Sequence, residues 1–169
     1  MNNINNSIEI TLTSELETKK MAELIAKNLD YTTSTIMYLQ GNLGAGKTTF
    51  TRYFLQALGY QGNVKSPTYT LIESYQINNY NFYHLDLYRL ASPDELNYMG
   101  LDDLLNDSNA ICLIEWPQNG QGILPKPALK LTLELCDNKQ NNQDDMRILT
   151  ITFDKEYKNN KLWQKLQGY

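Results

Sequence analysis

Gly41-Asn42-Leu43-Gly44-Ala45-Gly46-Lys47-Thr48 is the stretch on which the fold turns. It matches the pattern G-x-x-x-x-G-K-[ST] at every fixed position. The chemistry explains the spacing. A triphosphate is a dense anion and needs several N–H donors converging on it. Glycines let the backbone turn tightly and come close with no Cβ in the way. A following helix aims its unsatisfied N–H groups and its positive dipole end at the phosphates. Gly44, Ala45, Gly46, Lys47, Thr48 and Thr49 are therefore candidate nucleotide-binding residues. Lys47 is expected to reach the β- and γ-phosphates, and the Thr48 hydroxyl to ligate Mg²⁺.

The flanks supply the context this pattern requires. Thr35 to Leu39 reads as a short buried strand leading into the loop. Thr49 to Leu58 reads as an amphipathic helix, with Gly59 as its C-cap. Upstream, Ile8 to Leu12 alternates as a half-buried strand. Ser14 and Glu17 form a capping box for a helix reaching about Asn28. Downstream, Thr68–Tyr75 and Tyr80–Leu87 read as strands around an Asn78-Asn79 turn. A short helix is expected from Ser92-Pro93 to Gly100, and a buried strand over Ala110–Glu115. Leu129–Leu135 and Met146–Phe153 alternate and read as a hairpin whose tip is the polar run 137–145. The tail after Lys158 is short and weakly amphipathic. The expectation is a single α/β domain over residues 1–169, a three-layer P-loop NTPase-type sandwich. Its sheet is mixed and mostly parallel, closed by a C-terminal antiparallel hairpin.

Such a loop needs an acidic partner at the end of a neighbouring strand. Asp86 ends the run Phe82–Leu85, and Glu115 ends Ile111–Ile114. Both fall where open α/β sheets place ligands. Between them they offer a metal ligand and a residue that orients water, and the residues alone do not assign which is which. Ser66-Pro67-Thr68-Tyr69 reads equally as a γ-phosphate sensor and as an ordinary Ser-Pro turn. His84, the sole histidine, reads as a core residue.

Composition narrows the partners. Among 169 residues the formal net charge is -4 and the pI near 5.0. That argues against a strong, sequence-independent grip on nucleic acid. Cys112 and Cys136 lack metal or disulfide spacing, and no stretch approaches the length of a membrane span. A cytoplasmic protein with no membrane partner is expected.

The motifs taken in order resemble one family. Ser66-Pro67-Thr68-Tyr69, then His84-Leu85-Asp86-Leu87-Tyr88-Arg89, then Glu115-Trp116-Pro117 follow the glycine loop as in the bacterial TsaE (YjeE) proteins. These are small P-loop ATPases of tRNA threonylcarbamoyladenosine (t6A) synthesis. The resemblance implies weak ATP hydrolysis with ATP and Mg²⁺, coupled to a TsaB–TsaD protein pair that modifies tRNA, so that tRNA is met only through that complex. It implies that Thr48 and Glu115 are Mg²⁺ ligands and that Asp86 positions or activates water. It implies that the Ser14-Glu15 segment lies against the nucleotide; the mechanistic expectation built on these motifs is that Ser66 and Thr68 respond to the γ-phosphate. The family usually has Asp after the first loop glycine, where this chain has Asn42, and the likeness weakens after Cys136.

Three other readings compete. A small-molecule kinase typically closes an arginine-bearing lid over the phosphates. Only Arg52, Arg89 and Arg147 are present, none in a plausible lid. A GTPase needs N-K-x-D, and Asn138-Lys139-Gln140-Asn141 lacks the aspartate. A non-hydrolysing ATP-binding adaptor would use the same loop, and only turnover separates it.

Overall fold

The computed structural model describes residues 6–136, 146–157 and 159–169. The expected hairpin tip, with the run Asn138–Asn141, lies outside them. The described strands are β1 (Ser7–Leu12), β2 (Thr35–Gln40), β3 (Ile72–Ile77), β4 (Tyr80–Asp86), β5 (Ala110–Glu115), β6 (Leu129–Leu135) and β7 (Arg147–Phe153). They form one sheet in the order β1-β7-β6-β2-β5-β4-β3. The helices are α1 (Glu15–Asn28), α2 (Lys47–Ala57), α3 (Glu95–Tyr98), α4 (Leu101–Asn106) and α5 (Asn160–Gln167).

The sheet is mixed, as the pattern predicts. β6, β2, β5 and β4 run parallel at its centre, while β1–β7, β6–β7 and β3–β4 pair antiparallel. Antiparallel pairings thus equal parallel ones in number, because hairpins close both flanks. This arrangement brings many chain segments to one edge. β2, β5 and β4 end there. β7, β3 and α1, whose chain directions are opposite or follow β1, begin there. The glycine loop, Asp86, Glu115, Arg147 and the segment before β3 therefore meet without any long excursion.

The pleat sorts side chains between two cores. In β5, Ile111 and Leu113 face α1, α2 and α5, with Phe50, Phe54, Ile25 and Leu162. Ala110, Cys112 and Ile114 face the other way, against Leu96 and Leu101 of the short helices. Those helices complete the three layers over β4 and β5. Burial pushes the Cys112 thiol up to about 12. Thiolate is the reacting form, so Cys112 should stay inert to a neutral thiol reagent. Titration with such a reagent should count one thiol in the native protein and two in denaturant.

Local chemistry explains where the elements start. The Ser14 side chain accepts from Glu17 N, but Glu17 reaches past Ser14 to Thr13, taking its N–H at 2.7 Å and its hydroxyl at 2.9 Å. The strand expected from Thr68 begins only at Ile72. Residues Thr68–Leu71 form a turn, in which Leu71 N–H donates to Pro67 O at 2.7 Å and Leu71 takes a φ of 62°. The Ser66 and Thr68 hydroxyls are engaged with Asp86, which holds this turn off the sheet. The helix expected over 92–100 is shortened to α3, since Ser92 and Pro93 form a turn ahead of it. Gly100, at φ 71°, separates it from α4, which periodicity over so few residues did not reveal. Among the described residues no helix is long and apolar enough to cross a membrane.

Gly41 is where the loop is locked to the sheet. Its φ is 138°, and a Cβ there would fall 2.2 Å from Leu133 O on β6. Gly41→Ala is expected to destabilise the protein by at least about 2 kcal/mol, through a strained φ and a backbone clash together. Thermal or denaturant unfolding measures this.

Candidate functional site

Lys47 opens α2 and is only 4% exposed. Its ammonium donates to Gly41 O at 2.8 Å and Asn42 O at 2.9 Å, so the lysine folds back over the loop that precedes it. Its Nζ lies 4.2 Å from the centre of the Trp116 ring. Burial pulls its pKa below the usual lysine range, while the nearby Glu115 and Asp86 charges oppose that shift. The first N–H groups of α2 have no intrahelical acceptor, which leaves them to an external anion.

Asp86 and Glu115 are register partners at the ends of two parallel strands. Strand alternation puts both on the α2 face, in line with Phe82 and His84 on β4 and with Leu113 on β5. Each carries its own set of hydroxyls. The Thr48 hydroxyl donates to Glu115 Oε1 at 2.7 Å. The Ser66 hydroxyl bonds Asp86 Oδ2, which also accepts from Thr68 Oγ1 at 3.1 Å. Asp86 Oδ1 accepts the Tyr88 N–H at 3.0 Å, which fixes the carboxylate's plane. Both carboxylates are 3% exposed, and desolvation on that scale is tolerated only with such partners. The hydroxyl of Ser66 thus does more than end a Ser-Pro turn.

The donor set suits a hard cation. Thr48 and Glu115 present oxygens at the mouth of a helix N-terminus. Among the described residues no three His, Cys, Asp or Glu side chains gather into an all-protein metal cage. Mg²⁺ is commonly held this way, by one or two protein oxygens together with the substrate's phosphates.

Glu15 stands apart from this cluster. It opens α1 at the same sheet edge, and its carboxylate accepts from Tyr53 OH on α2 at 2.5 Å. Two contributors were not read from the sequence as part of the site. His84 Nε2 lies 2.8 Å from Glu115 Oε1; its place two residues before Asp86, on the same strand face, was the available signal. Arg147 Nε donates to Ala45 O at 3.0 Å, bracing the loop from β7. Nothing local in the sequence marks it, since the contact spans 102 positions. Trp116, next to Glu115 in the chain, carries a conformational signature. Its φ of 55° and ψ of 46° are rare for an aromatic residue, and they bring its ring against Lys47 and, at 4.9 Å, Tyr88.

The sheet, the loop and the paired carboxylates define an α/β protein of the P-loop NTPase type. The sequence model described as threonylcarbamoyl adenosine biosynthesis protein TsaE matches residues 12–146, and the chain belongs to the TsaE family. It is 52% identical over 123 residues to the Haemophilus influenzae tRNA threonylcarbamoyladenosine biosynthesis protein TsaE, covering 73% of this chain and 77% of that one. The Bacillus subtilis protein of the same name is 36% identical over 136 residues, with coverage of 80% and 79%. The crystal structure of Bacillus subtilis YdiB superposes with a TM-score of 0.74 at 28% identity, covering 99% of this chain and 98% of that one.

The stacking of Lys47 on Trp116 makes a direct prediction. In a Trp163→Phe background, where Trp116 is the remaining tryptophan, Lys47→Ala should change the emission of Trp116 with no ligand added. Steady-state fluorescence checks this, and an unchanged spectrum would contradict the contact.

Proposed function

We propose that this protein is a weak ATPase of the tRNA threonylcarbamoyladenosine machinery, working in the cytoplasm on a TsaB–TsaD complex and meeting tRNA only through it. The family to which the chain belongs supports the pathway. The observation that carries the ATPase reading is the pairing of Asp86 with Glu115 at one sheet edge, each with its own hydroxyl partners.

ATP lies on residues 41–48, with the backbone N–H groups from Gly44 to Thr49 and the Lys47 ammonium on its phosphates. Thr48 and Glu115 hold Mg²⁺, which neutralises charge on the phosphate oxygens when bound. Asp86 takes the proton from, or orients, the attacking water. Ser66 and Thr68, already bonded to Asp86, respond to the γ-phosphate. Glu15 lies against the nucleotide on the α1 side. Turnover drives or resets the partner complex, and the chain's acidity suits a protein partner better than a bare polyanion.

Asp86→Asn is expected to lower ATP hydrolysis by about 10²- to 10⁴-fold, the usual contribution of a positioned base, with ATP affinity little changed. Glu115→Gln should lose hydrolysis as well as the Mg²⁺ dependence of binding. Lys47→Ala removes charge-assisted contacts and should weaken ATP binding roughly tenfold or more. Single-turnover assays and calorimetry separate these effects. Hydrolysis lost while tRNA modification is fully supported would favour an adaptor that needs no turnover. A pull-down in ATP against ADP should recover the TsaB–TsaD pair preferentially in one nucleotide state; equal or no recovery in both counts against the coupling.

A further inference from the structure

We propose that His84 is a positioning residue, which holds Glu115 so that one chosen carboxylate oxygen is left for the metal. The inference rests on the reading of Glu115 as a Mg²⁺ ligand and adds the group that sets its orientation. His84 has no measurable exposure and sits in β4 beneath α2. Its Nε2 is 2.8 Å from Glu115 Oε1, the same oxygen that accepts the Thr48 hydroxyl at 2.7 Å. Both bonds fall on Oε1, so Oε2 is the oxygen these two donors leave open.

A histidine used only as filler is hard to justify here. Its Nδ1 is buried and has no hydrogen-bond partner among the described residues. A leucine or phenylalanine would fill similar space without stranding a polar atom. The bond to Glu115 is what the imidazole supplies. A carboxylate only accepts, so the proton of this bond belongs to Nε2.

Thr48 cannot fix Glu115 alone. Its hydroxyl rotates, and its oxygen is itself assigned to the metal. The imidazole is a rigid ring locked in the core, anchored on a different element from Thr48. Two donors from α2 and β4 converging on one oxygen fix the carboxylate's rotation. Partners that orient a metal ligand in this way are typically worth about 10- to 100-fold in metal affinity.

Two measurements on the full chain test this. The protein has a single histidine, so long-range ¹⁵N imidazole NMR reports on His84 alone. The expected spectrum is that of an Nε2–H tautomer whose Nε2 resonance shifts in Glu115→Gln. An Nδ1–H tautomer, or a spectrum unmoved by Glu115→Gln, overturns the proposal. This arm needs no change at position 84, so it decides the bond even where a substitution there fails to fold. The second is calorimetry of ADP with and without Mg²⁺. His84→Leu should lose about 10- to 100-fold in Mg²⁺ affinity, read against its own binding of ADP alone. His84→Gln, which carries an amide donor at similar reach, should recover part of that loss. A full Mg²⁺ response in His84→Leu overturns the positioning role alone. A wild type indifferent to Mg²⁺ overturns the metal reading of Glu115, and this inference with it.

Discussion

Burying the Lys47 ammonium is the constraint that organises this end of the molecule. A nearly fully buried cation is destabilising unless its protons find oxygen and its charge finds a counter-field. The loop supplies the first through the carbonyls of Gly41 and Asn42, and Glu115 and Asp86 supply the second. The two carbonyls can turn toward the lysine only if the loop curls tightly, which sets the φ of Gly41 and its close approach to β6. The Trp116 ring closes the remaining side, and its left-handed backbone costs about 1–3 kcal/mol that the surrounding contacts must offset. The loop geometry, the carboxylates and the strained tryptophan are thus linked responses to one buried charge.

The carboxylates carry the same logic outward. Asp86 and Glu115 are neighbours, and two buried negative charges side by side repel one another. Each is bonded to separate hydroxyls, and the lysine lies within electrostatic reach of both. Asp86 also ties β4 to the chain segments on either side of it. Its own N–H donates to Leu71 O, and its side chain binds Ser66, Thr68 and Tyr88 N–H. Any movement of Asp86 toward a bound phosphate or water would therefore be felt in the turn before β3 and in the chain around Tyr88. Arg89 stacks on Tyr69 at 4.4 Å and joins those two segments on the surface.

Much of this was legible in the chain itself, for physical reasons that differ by residue. The glycine loop and its flanking strand and helix were readable because their requirements are local. Asp86 and Glu115 were readable because each ends an apolar run, where a carboxylate has no packing role. The turn over Thr68–Leu71 reads as strand because its residues favour a pleat, while the distant Asp86 draws in the hydroxyl of Thr68 and, just ahead of the turn, that of Ser66. The split of the 92–106 region at Gly100 escaped notice because α3 and α4 are too short for a periodic signal. His84 looked like core, and it is core; that its nitrogen faces Glu115 depends on a register between β4 and β5 that no single segment contains. Arg147 is the extreme case, since its partner is fixed only once β7 has paired with both β1 and β6.

That last pairing separates two boundaries. The recognisable family match stops at residue 146, one position before β7 begins. Yet β7 lies between β1 and β6, and β1 pairs with β7 in register from end to end. Cut at both limits of that match, residues 12 and 146, the polypeptide would lose β1 and β7 together, which strips one edge of β6 and removes the arginine under Ala45. The span matched by the family's sequence pattern and the span that completes the sheet are different lengths, and the glycine loop is braced by a residue outside the shorter one.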